Sequence, residues 1–340
     1  MPATPPSHAT RTVLTAVVCA ALLLGASPAT HADDGRTGPG AAATHPGPRP
    51  LTGDTEVHDP SATRLHDGTL IVYSTHNGIE ARTSRDGVHW RRAGSAFRSV
   101  PAWWRSYSAE GDVWAPEILY RKGTYWLYYA VSSFGSNHSA IGLATSPTGR
   151  PGTWQDRGVV FSSTTADDYN AIDPAIVQGD GGLWMSFGSH WTGIRMVELD
   201  PRTGTVRSGA PVHHLATRRD APYAVEAPYI VKRGAHHYLF VSYDRCCAGT
   251  DSTYHIRVGR ALSPTGPYTD RDGTPMTEGG GDVLLASHGR HIGPGGQSVL
   301  HDRGRHVLVH HYYDAEDGGV PKLGLTSLRW DADGWPVAGP

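Results

Sequence analysis

The sequence predicts an all-β chain folded as a five-bladed β-propeller, and three observations carry that expectation. A polar glycine turn followed by an apolar strand occurs five times, as "HDGTLIVYST", "RKGTYWLYYA", "GDGGLWMSFG", "KRGAHHYLFVSY" and "DRGRHVLVHHYY". The turn glycines at 68, 123, 182, 234 and 304 are 52 to 70 residues apart, too far for a helical solenoid and close to a propeller blade with extended loops. Each strong strand is followed by a second extended run of period-two alternation, while long helical patterns are missing. A β-sandwich or β-helix would account for strands but not for repeating segments of this length.

Two segments precede the first repeat. Arg11 is followed by an apolar run from Val13 to Ala26 and then by Thr30-His31-Ala32, a small-residue cleavage pattern, so residues 1–32 read as a secretory signal peptide. A membrane anchor is the competing reading, but the run is shorter than the roughly 20 residues that span a bilayer. Residues 33–54 are rich in Gly, Pro and Ala without apolar periodicity and read as a flexible leader, with the propeller over 55–340.

Within the repeats, the second extended runs are "IEARTSRDG", "SAIGLATSPTG", "GIRMVELDPRTG", "HIRVGRALSPTG" and "LGLTSLRWDADG", each ending in a turn signal. With 42 Gly and 25 Pro in 340 residues, the chain has the turns that such an architecture needs. Its 38% hydrophobic and 18% charged residues place it among globular chains. The formal charge of −2 becomes −3 once a leader with one Arg and no acid is removed, which offers no footprint for nucleic acid or an anionic membrane. Cys19 lies in the leader, and the adjacent Cys246 and Cys247 match no zinc or redox spacing; a vicinal disulfide and two thiols are both open.

Four acids sit inside apolar runs beside a proline: Asp59 in "VHDPSAT", Glu117 in "WAPEILY", Asp173 in "AIDPAIV" and Glu226 in "VEAPYIV". An acid is poorly suited to a buried strand, and proline cannot donate to a sheet ladder. All four precede the glycine turn of their repeat. On the innermost strands of a propeller, equivalent positions of successive repeats converge on one channel.

The set "VHDPS", "DVWAPEI", "YYAVSSFGSNHSAIGLATS", "NAIDPAIV", "GLWMSFGSHWTGI", "VEAPYIV" and "YDRCCAGTDSTYHIRVGRA" resembles the family 43 glycoside hydrolases, and within them the arabinan endo-1,5-α-L-arabinanases, in order from Val57 to Pro336. The resemblance implies a five-bladed propeller and an inverting hydrolase. By motif, Asp59 matches the general base, Asp173 the acid that orients and tunes its neighbour, and Glu226 the general acid. Inversion needs one protonated and one ionised carboxyl on opposite faces of the sugar, roughly 6.5 to 9.5 Å apart. A third carboxylate beside Glu226 would raise its pKa.

The resemblance also implies a supporting place for Glu117, outside the catalytic three. Trp114 reads either as a sugar-stacking aromatic or as inter-blade packing, and Ser132 to Ser136 (Ser133 foremost) with Asn170 and Gln297 are the expected substrate contacts. Asn137-His138-Ser139 is formally a glycosylation sequon but reads as part of the family motif. Many relatives carry a metal-facing His where this chain has Gly296 in "GPGGQSV", which leaves the metal ligands unknown. No cofactor is expected to be required, although a structural calcium at the channel centre is compatible with water and carbonyl ligands. His310 and His311 are candidates to reach the axis, and none of the 20 His falls in a zinc-protease motif. The expected partner is the polysaccharide arabinan, the expected state a secreted monomer. An exo-acting arabinanase, an α-L-arabinofuranosidase, a β-xylosidase and a non-catalytic carbohydrate-binding propeller are the alternatives.

Overall fold

The structure is a computed structural model that describes residues 50–339; the expected signal peptide and most of the leader lie outside the described residues. Among those residues, five sheets are each built from consecutive strands. Blade I holds β2 (Ser61–Arg64), β3 (Leu70–Ser74), β4 (Glu80–Ser84) and β5 (His89–Ser95), with β1 (Thr52–Gly53) added in parallel to β5. Blade II holds β6 (Val113–Arg121), β7 (Thr124–Val131), β8 (Ser139–Ser146) and β9 (Gln155–Ser163). Blade III holds β10 (Ala175–Gly179), β11 (Gly182–Phe187), β12 (Ile194–Leu199) and β13 (His213–Ala216). Blade IV holds β14 (Val225–Arg233), β15 (His236–Tyr243), β16 (His255–Ala261) and β17 (Asp282–Leu285). Blade V holds β18 (His291–Asp302), β19 (Arg305–Asp314), β20 (Val320–Trp330) and β21 (Pro336–Ala338). The first strands of the blades are innermost: β18 packs on β2, β2 on β6, β10 on β14 and β14 on β18. This is the five-bladed β-propeller that the repeats predict.

Turn chemistry sets the hairpins. Lys122-Gly123, Asp180-Gly181 and Arg303-Gly304 are two-residue loops with positive φ at both positions, the type I′ geometry whose twist matches that of the flanking strands. In the third repeat the turn glycine is therefore Gly181 (φ 76°), not Gly182, which already pairs with Gly179. The second strands are apolar over their central residues because neighbouring blades cover both faces. In β7, Leu127 and Tyr129 face blade I while Trp126 and Tyr128 face blade III; in β15, Leu239 and Val241 face blade III while Tyr238 and Phe240 face blade V. Each fully buried Leu, Met or Phe contributes on the order of 1.5–3 kcal/mol, so the inter-blade layers are the main source of stability.

Because each blade is contiguous in sequence, the ring closes through side chains and a strap rather than through an exchanged strand. Leu323 N–H donates to Thr55 O (2.7 Å) and Val57 N–H to Pro321 O (3.2 Å), while Thr52 and Gly53 pair with His89 and Trp90. The sheet thus begins at Thr52, ahead of the boundary expected at residue 55. Ser298 Oγ donates to Pro60 O (2.8 Å), and the Arg64 guanidinium grips both Asp302 oxygens at 2.6 and 2.7 Å with only 20% and 18% of the two side chains exposed. Asp302→Ala leaves that guanidinium with only the Gly68 carbonyl as acceptor, and we expect a loss of about 1–3 kcal/mol in chemical denaturation. Asp302→Asn, which keeps an acceptor, should lose less.

Candidate active site

One residue at the channel end of every innermost strand is left-handed: Asp59 (φ 44°), Ala115 (42°), Asp173 (56°), Ala227 (49°) and Gly296 (57°). The first four are each followed by proline, a context that disfavours helical backbone, and positive φ is uncommon for any residue with a Cβ. Register breaks between Trp114 and Glu117, Glu226 and Tyr229, and Gly295 and Ser298 mark the same bend. The four acids are therefore not equivalent, as the repeats suggested. Asp59 and Asp173 occupy the left-handed position, Glu226 sits one residue earlier, in register with His58 and Trp114, and Glu117 two residues later, in register with Ser61 and Ser298.

Hydrogen bonds join these bends around the channel. Thr75 Oγ1 accepts Ala115 N–H (2.9 Å) and donates to Asp59 Oδ2 (2.8 Å); Asp173 Oδ2 accepts Ala227 N–H (3.0 Å); Gln297 Nε2 donates to Ala227 O (2.6 Å). Asp59 Oδ2 also accepts from His58 Nδ1 (2.9 Å), whose Nε2 meets Tyr313 OH (3.1 Å). Asp59 N–H donates to His311 Nδ1 (3.2 Å), so His311 carries its proton on Nε2. Burial works against a charge on Asp59, but the His58 charge and hydrogen bond, helped by Thr75, hold its carboxyl well below the usual range. Burial likewise opposes charge on His58, yet Asp59 raises it above the ordinary imidazole value, while burial pushes His311, stacked on His58 at 4.0 Å, well below it. The result is an ionised Asp59 whose Oδ2 is held and whose Oδ1 is left to accept from a water.

Glu226 is buried, with Oε2 accepting from Tyr254 OH (2.8 Å) and Oε1 2.7 Å from His190 Nε2. Burial, followed by the charges of Asp59 and Glu226, pushes Asp173 well above the usual carboxyl range. Asp173 also fixes the backbone N–H of Ala227, the residue after Glu226.

The remaining expected residues divide. Trp114 is half-buried, in register with Glu226, and donates from Nε1 to Asp112 Oδ2 (2.8 Å). Asn170 is buried, donates to Ser136 O (3.3 Å) and keeps Oδ1 without a protein partner. Ser133 is exposed and donates to Tyr107 O (3.1 Å). Gln297 departs from the expectation of a substrate contact: it is buried and bridges Ser242 Oγ (2.7 Å) and Ala227 O, so it braces the strand that carries Glu226. Asn137 is buried and donates to Asp167 O and Tyr169 O, which takes both amide hydrogens and closes the sequon in the folded state. Of the two histidines, only His311 reaches the channel; His310, on the other face of β19, bonds Thr326 (3.1 Å). Cys246 and Cys247 are thiols, with Cys247 Sγ 3.8 Å from His58 Nε2. Sequence reading missed His58, Thr75, His190, Tyr254, His311 as a partner of Asp59, and Tyr313.

His58, Asp59 and His311 each offer a ligand atom within 4.8 Å of the others. Two imidazoles and one carboxylate do not fit calcium, which takes six to eight oxygens. His58 carries a proton, and His311 Nδ1 already accepts Asp59 N–H.

The profile of Glycosyl hydrolases family 43 matches residues 51–336. The chain belongs to that family. It is 41% identical over 286 residues to an extracellular endo-α-(1→5)-L-arabinanase of Bacillus subtilis, covering 80% of this chain and 87% of the relative. It is 40% identical over 298 residues to an extracellular exo-α-(1→5)-L-arabinofuranosidase of Cellvibrio japonicus, covering 83% and 86%. A solved family 43 endo-arabinanase of Bacillus licheniformis superposes with a TM-score of 0.80 at 44% identity, covering 85% of this chain and 99% of that one. As a family 43 member the protein is a glycoside hydrolase.

Glu117 is a buried brace of this family 43 channel. Its Oε2 accepts from Ser61 Oγ (2.8 Å), and burial pushes its pKa up to about 8. A carboxyl raised on folding holds its proton in the folded state after the unfolded chain has lost it, so stability falls as pH rises from about 4.5 to about 8. Glu117→Gln should therefore raise the melting temperature relative to the parent at pH 8 and leave it unchanged near pH 4. At Gly296 an added Cβ would lie 2.3 Å from Asp59 Oδ1 and 2.8 Å from His311 Nδ1. Gly296→Ala should displace the Asp59 carboxylate, lower kcat by about 10²-fold or more and destabilise by roughly 1–3 kcal/mol.

Proposed function

We propose that this family 43 hydrolase is a secreted, monomeric enzyme that cleaves internal α-1,5-L-arabinofuranosidic bonds of arabinan with inversion. The observation that carries this is the asymmetric pair across the channel: an ionised Asp59 with Oδ1 free, facing a Glu226 enclosed by Tyr254, His190 and the Asp173-held backbone. Asp59 takes a proton from water as the water oxygen bonds the anomeric carbon. Glu226 gives a proton to the leaving oxygen as that oxygen departs with the bonding electron pair. Asp173 tunes and orients Glu226. The chemistry requires no cofactor. Trp114, Ser133 and Asn170 remain the proposed sugar contacts.

Arabinan as substrate rests on the endo-arabinanase name of one relative and the exo-α-(1→5)-L-arabinofuranosidase name of the other, and secretion on their extracellular naming together with the apolar leader. Among the described residues no helix is long and apolar enough to cross a membrane. Exo action is the second reading, favoured by the near-equal identity to the exo-acting relative. Product lengths from linear arabinan decide between them: a mixture of oligosaccharides supports internal cleavage, while a single short product from the outset supports exo action.

Glu226→Gln should lower activity on arabinan by roughly 10²–10⁴-fold, with far smaller loss on aryl arabinofuranosides whose acidic phenols leave without protonation. Asp59→Asn should abolish both, because water activation is needed whatever leaves. Equal losses in the two variants on both substrates would unseat the division of roles.

A further inference from the structure

His190 enters the channel end of the propeller from the segment between β11 and β12, in which Gly188 (φ 127°), His190 (54°), Trp191 (44°) and Gly193 (100°) are all left-handed. The loop is tied down on several sides. His190 N–H donates to Val225 O (3.1 Å), the residue before Glu226; Gly193 N–H donates to His190 O (2.8 Å); Thr192 N–H donates to Asp168 O (3.1 Å); and Thr217 Oγ1 donates to Thr192 O (3.0 Å). Two adjacent non-glycine residues at positive φ persist only where the surroundings over-determine them, commonly at functional sites. Here the strain delivers His190 Nε2 to 2.7 Å from Glu226 Oε1, and the exposures differ sharply: 53% of the His190 side chain is open to solvent against 11% of Glu226. Tyr254 occupies the other Glu226 oxygen.

We propose that His190 is a positioning and relay residue that supplies the proton which Glu226 gives away, an inference that rests on Glu226 being the general acid. The His190 Nε2 proton crosses to Glu226 as Glu226 protonates the departing glycosidic oxygen, which leaves a neutral imidazole with its hydrogen on Nδ1. Nε2 then takes a proton from water. One proton enters from solvent for each one delivered to the leaving oxygen, and the one that Asp59 took from water returns to solvent. The groups facing this pair are Cys247 beside His190, and Tyr254, Asp173 and Cys246 beside Glu226. The Glu226 hydrogen bond raises His190 above its ordinary value, so the pair keeps its shared proton to higher pH than an isolated imidazole would.

The test is the pH profile of kcat/KM on linear arabinan for the full-length enzyme, for His190→Gln and for His190→Phe, with melting temperatures recorded to confirm folding. Without His190 the proton leaves Glu226 directly. The alkaline limb should move to lower pH by about half a unit or more, the acid limb set by Asp59 should stay in place, and the loss should be about ten-fold larger on arabinan than on an aryl arabinofuranoside with an acidic phenol. An unmoved alkaline limb, or equal losses on both substrates with Glu226→Gln still discriminating between them, overturns the relay and leaves the general acid intact. Failure of Glu226→Gln to discriminate overturns both.

Discussion

The whole site depends on one backbone constraint, a left-handed residue at the channel end of each innermost strand, followed by proline in four blades of five. Such a conformation is costly for Asp or Ala, on the order of 1–3 kcal/mol per residue. The four that are not glycine persist because their neighbours clamp them: Thr75 holds Ala115 and Asp59, Asp173 and Ala227 are bonded to each other, and Gln297 holds Ala227 from the other side. The bend frees the strand ends from ladder pairing and turns their side chains toward the channel. Proline follows because no N–H is needed there. The large inter-blade cores, such as those around Trp104 with Tyr129 and Phe187 with Phe161, are what hold the strained ends in place.

Electrostatics then builds difference out of fivefold repetition. Asp59 and Asp173 share a backbone position, yet one is held ionised and the other is pushed toward the neutral form. The divergence lies in the neighbours: Asp59 has His58 and Thr75, whereas Asp173 has the charges of Asp59 and Glu226. His58 and His311 are stacked at 4.0 Å and cannot both be charged, so the one hydrogen-bonded to the carboxylate keeps the proton and the other stays neutral as an acceptor. Gly296 completes this corner, since any side chain there would collide with Asp59 and His311. The departure from the family pattern at Gly296 is thus built into the packing around the base.

The propeller and the acid–proline pairs were legible because their signals are local. Type I′ glycines, period-two apolar runs and acid–proline pairs are read within ten residues. The fourth strands of blades III to V were not, because four, four and three residues leave too little pattern. The strap at Thr52 was hidden for the same reason, as its Gly-rich composition resembles a linker. The partners of the acids were illegible for another cause: His58 and Tyr313 are 255 positions apart, Asp59 and His311 252, and nothing in either stretch announces the other. Gln297 was misjudged because a polar residue in a sugar-binding motif looks the same whether its amide faces substrate or bridges two strands.

The residues of the proposed chemistry and the exposed aromatics lie on different parts of the chain. Asp59, Asp173 and Glu226 stand on or immediately before innermost strands, where the inter-blade cores limit their movement. The connections that emerge at the same end of the blades carry exposed aromatics, Phe134 at 91%, Trp191 at 42% and Tyr223 at 62% exposure, the last two with left-handed backbone. Loops of this kind tolerate change in length and composition without disturbing the strands beneath. Relatives named for endo and for exo action stand at nearly equal identity to this chain, as expected where the mode of attack is set in such loops rather than in the strands beneath them.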